Sequence, residues 1–140
     1  DARASWATNY VGHFLVEAER RGYYVTPAMK SAWLEHQRTT AQAWRAGGDV
    51  PAMDHAYRLY TLALAGRADM GAMNRLRASD ERGFVSSWLL AAAYALSGLR
   101  DVGLDYVHPG ESRPRPSARF RSTTVRAGAS APASGTCPCG

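Results

Sequence analysis

The residues that could take part in catalysis or metal binding are few, and their spacing favours neither. His13 has no second histidine four residues away with which it could share a metal ion, so we interpret it as a core or interfacial hydrogen-bonding group. Glu35, His36 and Asp54 are not connected by their spacing or by a nucleophile, so they do not form a recognisable catalytic set.

The remaining candidates are two carboxylates and the two cysteines. We expect Glu17 and Glu19 to be solvated, because nothing nearby in the sequence would raise their pKa values. Cys137 and Cys139 form a Cys-Pro-Cys sequence, which is a weak zinc signal without a second pair of ligands. We therefore predict no catalytic, cofactor-binding or metal-binding residue, and no enzymatic activity.

The stretch from Asp54 to Leu76 has the strongest helical pattern in the chain and predicts a helix, a turn and a second helix. Its apolar residues recur at three- and four-residue intervals, which places them on one face of a helix. Gly66 can adopt the left-handed conformation that ends the first helix, and Asp69 offers an N-cap for the second. Because Arg58 is almost its only charge, we expect the first helix to be packed between neighbours.

Similar signals predict helices on both sides of this hairpin. They run from about Ser5 to Arg21, from the cap pair Thr26 and Pro27 to Gly47, and from Ser79 to about Ser97. Residues 5–104 should thus be almost entirely helical, in about five main helices with breaks near Gly22, Gly47, Gly66 and Gly98. The side chains expected to be among the more buried are Trp6, Phe14, Trp33, Tyr57, Tyr60, Leu64 and Trp88.

The sequence also contains a loose internal repeat. The stretches YRLYTLALAG and LAAAYALSG are apolar helices that end in glycine, and each is followed by a short amphipathic segment. The two stretches lie about 32 residues apart, a period that is typical of stacked helical hairpins. Tetratricopeptide repeats are the natural alternative, but their tryptophan, glycine and proline pattern is not visible here.

Charge and composition divide the chain at about residue 106. Residues 1–106 contain 12 Lys or Arg and 11 Asp or Glu, a net charge of +1, whereas residues 107–140 contain five Arg and one Glu, a net charge of +4. The helical part is therefore nearly neutral. It has no basic stripe with interleaved aromatic residues, which argues against nucleic-acid binding.

Residues 107–140 form a separate segment rich in Arg, Pro, Ser, Ala and Gly. We expect this segment to be disordered, because it has too few apolar residues to offset the entropy of ordering. The change in character is abrupt, and GC-rich codons encode these five residues readily in any frame. One hypothesis is therefore that the reading frame changes between Tyr106 and Ser117.

Four stretches, NYVGHFLVEAERRGYYV, AYRLYTLALAG, GAMNRL and WLLAAAYALSG, resemble the thioester-containing helical domain of the bacterial alpha-2-macroglobulin family. The resemblance covers roughly Trp6 to Leu104. It implies that residues 1–106 are part of an α/α toroid of antiparallel helical hairpins. It also implies a broad-spectrum endopeptidase inhibitor that traps proteases, located in the periplasm, the cell envelope or outside the cell.

The thioester that gives this family its chemistry is not visible in the chain. The family's motif is Cys, any residue, Glu, Gln, and this tetrapeptide does not occur in the 140 residues. No functional residue of the family can therefore be transferred to a position here. The resemblance implies a scaffold whose partners are proteases, reached through the intact parent protein, and neighbouring macroglobulin domains, without nucleic acid or direct membrane contact. Self-association of the isolated chain is also expected.

Two other functions remain open. The first is a small helical-repeat scaffold, similar to a tetratricopeptide protein, that binds a peptide in a groove. The second is an α/α-toroid enzyme such as a glycosidase, which would need a pair of carboxylates about 5–10 Å apart in a cleft. No such pair is evident from the sequence.

Overall fold

A computed structural model describes residues 2–81 and 83–107, with side chains from residue 5 onward. This part of the chain is all-α, as predicted, and contains no β-strand. Cys137, Cys139 and residues 108–140 of the predicted disordered segment lie outside the described residues. The helices are α1 (Ala2–Arg20), α2 (Pro27–Ala43), α3 (Ala52–Leu64), α4 (Met70–Ala78), α5 (Phe84–Leu96) and α6 (Arg100–Val107).

The predicted breaks are confirmed, since positive φ angles in the described residues occur at Gly22, Gly47, Gly66 and Gly98. Gly66 and Gly98 end their helices in the same way. The amide of the residue after each glycine donates to the carbonyl five residues earlier, Arg67 to Leu62 and Leu99 to Tyr94, both at 2.9 Å. This hydrogen-bond pattern requires a left-handed residue, which glycine adopts without a Cβ clash.

The helical repeat is visible in the structure. Helices α3 and α5 each contain 13 residues and start at Ala52 and Phe84, 32 positions apart, the same offset as between Gly66 and Gly98. The two hairpins nevertheless pack differently. A Cβ on Gly103 would lie 2.6 Å from the Ala91 carbonyl oxygen, so α6 runs very close to α5.

Helix α3 is the centre of the fold. It contacts α1, α2, α4 and α5, whereas α1 and α5 make no contact with each other in the described part of the chain. The hydrophobic core lies mainly around α3 and includes Leu59 and Leu62, both fully buried, with Leu76 and Leu90 from the neighbouring helices. Tyr57, Tyr60 and Leu64 are only partly buried, because the inner face of α3 is centred on Leu59 and Leu62.

The prediction of which face of α1 is buried is wrong. Trp6 is 48% exposed and Phe14 is 67% exposed, whereas Asn9, Gly12 and Val16 point into the protein. A Cβ on Gly12 would lie 1.8 Å from the Trp33 ring, so this indole occupies the space beside the glycine. As predicted, Trp33 is buried. Because this indole from α2 fills the contact between α1 and α2, the aromatic residues of α1 lie on the outer face of that helix.

The predicted first residue of α5 and its predicted buried face are also wrong. Ser79 closes α4 instead of opening α5, since its amide and its hydroxyl both donate to the Leu76 carbonyl. Helix α5 begins only at Phe84, where the Ser86 hydroxyl bonds to the backbone of Gly83. Trp88, which was expected to be buried, is 45% exposed.

The predicted caps of the other helices have mixed outcomes. Asp69 caps α4 as expected, because its Oδ1 accepts from the Ala72 amide at 2.9 Å. Thr26 occupies the N-cap position of α2 and Pro27 the first helical position, but the Thr26 hydroxyl makes no capping hydrogen bond. Helix α2 ends at Ala43, before the predicted end at Gly47, because Trp44 leaves the helix to donate its Nε1–H to the Val50 carbonyl.

We predict that Gly12→Ala lowers the free energy of unfolding by about 1–3 kcal/mol, because the added methyl group must displace the Trp33 ring. Thermal or urea unfolding followed by circular dichroism measures this change. Gly71→Ala is the matched control: it is also in a helix, its nearest neighbour is a side-chain oxygen at 3.4 Å, and alanine should stabilise it by up to about 1 kcal/mol. Equal effects at the two positions would contradict the packing described for α1.

Candidate functional site

The side chains considered from the sequence for chemistry are not brought together. Glu35 and His36 are exposed on α2, whereas Asp54 is buried on α3. No group of three or more His, Cys, Asp or Glu that could hold a metal ion occurs among the described residues. The structure therefore gives these three residues no shared site.

His13 lies at the contact between α1 and α3. Its Nδ1 is 2.8 Å from the Tyr57 hydroxyl, and its ring packs edge-on against Tyr57 and Tyr60. Burial and the neighbouring hydroxyls of Tyr10 and Tyr60 raise the pKa of Tyr57. His13 is thus an interfacial hydrogen-bonding group, as predicted.

Glu17 and Glu19 form surface ion pairs. Glu17 accepts from Arg21 at 2.6 Å and from Arg20 at 3.3 Å within α1. Glu19 pairs with Lys30 and so connects α1 to α2. Exposed pairs of this kind contribute little to stability, about 0–1 kcal/mol each.

The most unusual site in the described chain is a buried polar junction where α1, α2 and α3 meet. We use this name for Ser5, Asn9, Gln37, Asp54 and Arg58. Arg58 is only 2% exposed, and its Nε–H donates to Gln37 Oε1 at 2.8 Å, while Nη2 donates to the Ser5 hydroxyl. Asn9 donates to the Asp54 carbonyl at 3.1 Å. Each of the three helices therefore contributes a partner.

The electrostatics of the junction are those of a buried, poorly compensated charge. Burial lowers the pKa of Arg58, although the Asp54 carboxylate opposes this effect. Burial also raises the pKa of Asp54, and Arg58 opposes that change. Asn9 Oδ1, Gln37 Nε2 and Arg58 Nη1 have no partner among the described residues. The arrangement offers hydrogen-bond donors and acceptors, and its hydrogen bonds connect α1, α2 and α3.

A second buried polar residue, His55, lies beside this junction on α3. Its ring stacks on the Trp44 indole with a centroid distance of 4.3 Å and an interplanar angle of 4°. Burial, followed by the charges of Arg58 and Arg75, lowers the pKa of His55 from 6.5 to about 3. The backbone of Ala72 and the Asp69 carboxylate act in the opposite direction but do not outweigh these effects. His55 is therefore neutral at physiological pH.

The sequence pattern alone did not identify the junction or His55. A usable signal was present: Asp54, Arg58 and Thr61 recur at helical spacing inside an otherwise apolar helix. Three polar residues on one face of a buried helix need partners on the neighbouring helices. Nothing in the sequence, however, identified Ser5 and Gln37 as those partners.

The surface of the described chain has three notable features. The α1 aromatic surface consists of Trp6, Tyr10, Val11 and Phe14, all exposed, with Trp6 and Tyr10 stacked at 5.4 Å. The α5 aromatic surface consists of Phe84, Val85 and Trp88, also exposed. The third feature is a cleft of about 560 Å³ between α2 and the turn from α3 to α4, lined by Ser31, Leu34, Glu35, Arg38, Leu62, Gly66, Arg67, Ala68, Asp69 and Met70.

Among the described helices, none combines the length and the apolar composition needed to cross a membrane.

We predict that Arg58→Lys lowers the free energy of unfolding by about 1–3 kcal/mol, because an ammonium group cannot reproduce the two hydrogen bonds of the guanidinium group. Denaturant unfolding measures the effect. Arg20→Lys, on the exposed part of α1, is the matched control and should change stability by less than about 0.5 kcal/mol. A variant at Arg58 as stable as this control would show that the junction does not hold the helices together.

We also predict that stability falls as the pH decreases from 6.5 towards 3, because unfolded His55 binds a proton in this range while the folded residue does not. At about pH 4.5 the loss from this residue should be about 2–3 kcal/mol relative to neutral pH. His55→Phe keeps an aromatic ring against Trp44 and should remove most of this dependence. Asp54 contributes a slope of the opposite sign to both proteins, so the difference between them isolates His55. If the stability of the His55→Phe variant and of the unmodified protein changed identically with pH, the lowered pKa of His55 would be contradicted.

No protein-family model, curated protein or solved structure matches the chain.

Proposed function

We propose that the helical part of the chain is a packing unit of a larger helical assembly, the α/α toroid of a bacterial alpha-2-macroglobulin-like protease inhibitor. In this role it supplies scaffold and contact surface rather than chemistry. The single observation that supports this proposal most directly is the pair of exposed aromatic surfaces on α1 and α5.

The positions of the two surfaces fit a unit inside a longer array. Helices α1 and α5 pack on α3 and do not contact each other, so the two surfaces belong to different sides of the central helix. Repeat proteins need a polar outer face on their terminal units to remain soluble. Aromatic residues on both outer helices are instead typical of a unit with neighbours on both sides.

The composition of the surfaces also favours protein contacts. Trp, Tyr and Phe are enriched in the centres of protein interfaces, where they bury a large apolar area. No Asp, Glu, Lys or Arg lies between Trp6 and Phe14 on α1. Contiguous apolar patches of this kind mark interaction surfaces.

The family and its protease-trapping activity are supported by the resemblance of four stretches and by the all-α fold. The resemblance implies that the unit belongs to the thioester-containing helical domain, and a protease would be reached only through the intact parent protein. A locus in which this chain is continuous with macroglobulin β-domains and a bait region would support the proposal. A locus that encodes neither would contradict it.

We expect the isolated 140-residue chain to self-associate, because the aromatic surfaces of α1 and α5 are exposed in the described part of the chain. Sedimentation velocity over a range of concentrations measures this. The double variants Trp6→Gln with Phe14→Gln, and Phe84→Gln with Trp88→Gln, should each shift the distribution towards monomer. Tyr24→Gln, which removes an exposed aromatic residue outside both surfaces, is the matched control and should leave the distribution unchanged. A monomer at every concentration would contradict the proposal and favour an independent peptide-binding scaffold.

A further inference from the structure

Helices α3 and α5 bury equivalent faces of the helical repeat. In α3 this face contacts α1, because Arg58 donates to the Ser5 hydroxyl and Asn9 donates to the Asp54 carbonyl. We call it the leading face, and in α3 it consists of Asp54, Arg58 and Thr61, all buried. The residues 32 positions later in α5 are buried as well, namely Ser86, Leu90 and Ala93.

The leading face of α5 lies against α3. Within the described chain α5 contacts α3, α4 and α6. Its Tyr94 hydroxyl donates to Asn74 of α4, and its Ala91 carbonyl lies against Gly103 of α6. The remaining buried side of α5, which carries the leading face, is therefore the side of α3. In both repeats the leading face thus meets the preceding helix of the stack.

The opposite side of each helix differs in exposure between the two repeats. We call this side the trailing face, and in α3 it consists of Ala52, Ala56 and Ala63. Ala56 and Ala63 each follow a leading-face residue by two positions, which places them about 160° around the helix, on the side of α5. Both are buried, whereas the equivalent residues of α5 are exposed, namely Phe84, Trp88 and Ala95. Helix α5 therefore covers the trailing face of α3, and its own trailing face is exposed.

Helix α1 fits the same register and shows the converse exposure. The glycines that end α1 and α3 lie 44 positions apart, and this offset takes Tyr10 and Phe14 of α1 to leading-face positions of α3. Tyr10 is 57% exposed and Phe14 is 67% exposed. The same offset takes Gly12, which is buried, to Ala56 on the trailing face. The α1 aromatic surface thus contains the leading face of α1, and the α5 aromatic surface contains the trailing face of α5.

We propose that the trailing face of α5 in one molecule stacks on the leading face of α1 in a second molecule of the same chain. This contact repeats between molecules the arrangement by which α1 meets α3, and α3 meets α5, within one molecule. Neither face includes Asp, Glu, Lys or Arg, so their aromatic rings can pack without burying a charge. The inference rests on the proposed role of the two aromatic surfaces as contact surfaces and names their partner.

The repeat also determines the symmetry of this contact. Both internal contacts join a trailing face to a leading face, so the contact between molecules is heterologous, from α5 to α1. Each added molecule presents one further surface of each kind, and such contacts produce a ring if the rotation closes and a filament if it does not.

The C-terminal segment of the chain is a poorer occupant for the trailing face of α5. A helix that covers this face needs apolar residues at three- and four-residue intervals. Apart from proline, Phe120 and Val125 are the only residues with large apolar side chains in segment 108–140. Helix α1 carries Trp6, Tyr10 and Phe14 at steps of four. Its composition therefore favours α1 of a second molecule as the occupant.

Mixing of two double variants tests the pairing, with the cysteines kept reduced. Trp6→Gln with Phe14→Gln changes the α1 surface and keeps the α5 surface, and Phe84→Gln with Trp88→Gln does the reverse. In sedimentation velocity we expect each variant alone to remain at 15.2 kDa at concentrations where the unmodified chain associates. An equimolar mixture should form 1:1 dimers of twice this mass and nothing larger, because each dimer joins the one intact α5 surface to the one intact α1 surface.

The other outcomes separate this inference from the proposed scaffold role. A dimer formed by either double variant alone would show that like surfaces pair, and would overturn the inference. A mixture that stays monomeric while the unmodified chain associates would also overturn it, but would leave the scaffold role standing. An unmodified chain that is monomeric at every concentration would overturn both.

A second pair of variants keeps the test decisive if a double variant fails to fold. Tyr10→Glu places a charge on an exposed position of α1, and Phe84→Glu places one at the first residue of α5, where the helix dipole favours a carboxylate. Circular dichroism should show unchanged helix content in both. Each should be monomeric alone and dimeric in the mixture. Tyr24→Gln, with both surfaces intact, should associate like the unmodified chain, and an equal loss of association in this control would overturn the proposal.

Discussion

The burial of Arg58 is the constraint on which the rest of the structure depends. A guanidinium group that is 2% exposed has lost its hydration, and this cost is repaid only if neighbouring groups replace the lost hydrogen bonds. Gln37 on α2 and Ser5 on α1 replace the hydrogen bonds at Nε and Nη2, while Nη1 has no partner among the described residues. The charge thus requires two other helices to lie in one arrangement around α3.

This requirement explains why α1 faces the way it does. With Ser5 bonded to Arg58, the residue one turn later, Asn9, reaches the Asp54 carbonyl, and the next turn places Gly12 against Trp33. The face of α1 that carries Ser5, Asn9 and Gly12 is therefore turned inward. The aromatic residues of the same helix are consequently turned outward, although burial of their larger apolar area would be worth more in isolation.

The outward aromatic residues and the cleft are two consequences of the same architecture. Because α3 already contacts four helices, the outer helices α1 and α5 each keep an exposed face within the described chain. The cleft forms where the turn after α3 meets α2, and Asp69 fixes its floor by capping α4 and accepting from Gln42.

The sequence by itself determined the elements whose signals are local. A glycine with positive φ needs only its own backbone to end a helix, and an aspartate needs only an amide three residues later to cap one, so Gly22, Gly47, Gly66, Gly98 and Asp69 were all predictable. The helical repeat was predictable from the same kind of signal, because Gly66 and Gly98 end the two helices that repeat. Only the tertiary structure decided which faces of α1 and α5 are buried. Helices α1 and α5 have apolar residues on several sides, so their periodicity did not select one face. The selection came from partners distant in the sequence, namely Trp33 beside Gly12, Gln37 and Ser5 beside Arg58, and Asn74 as the acceptor of the Tyr94 hydroxyl.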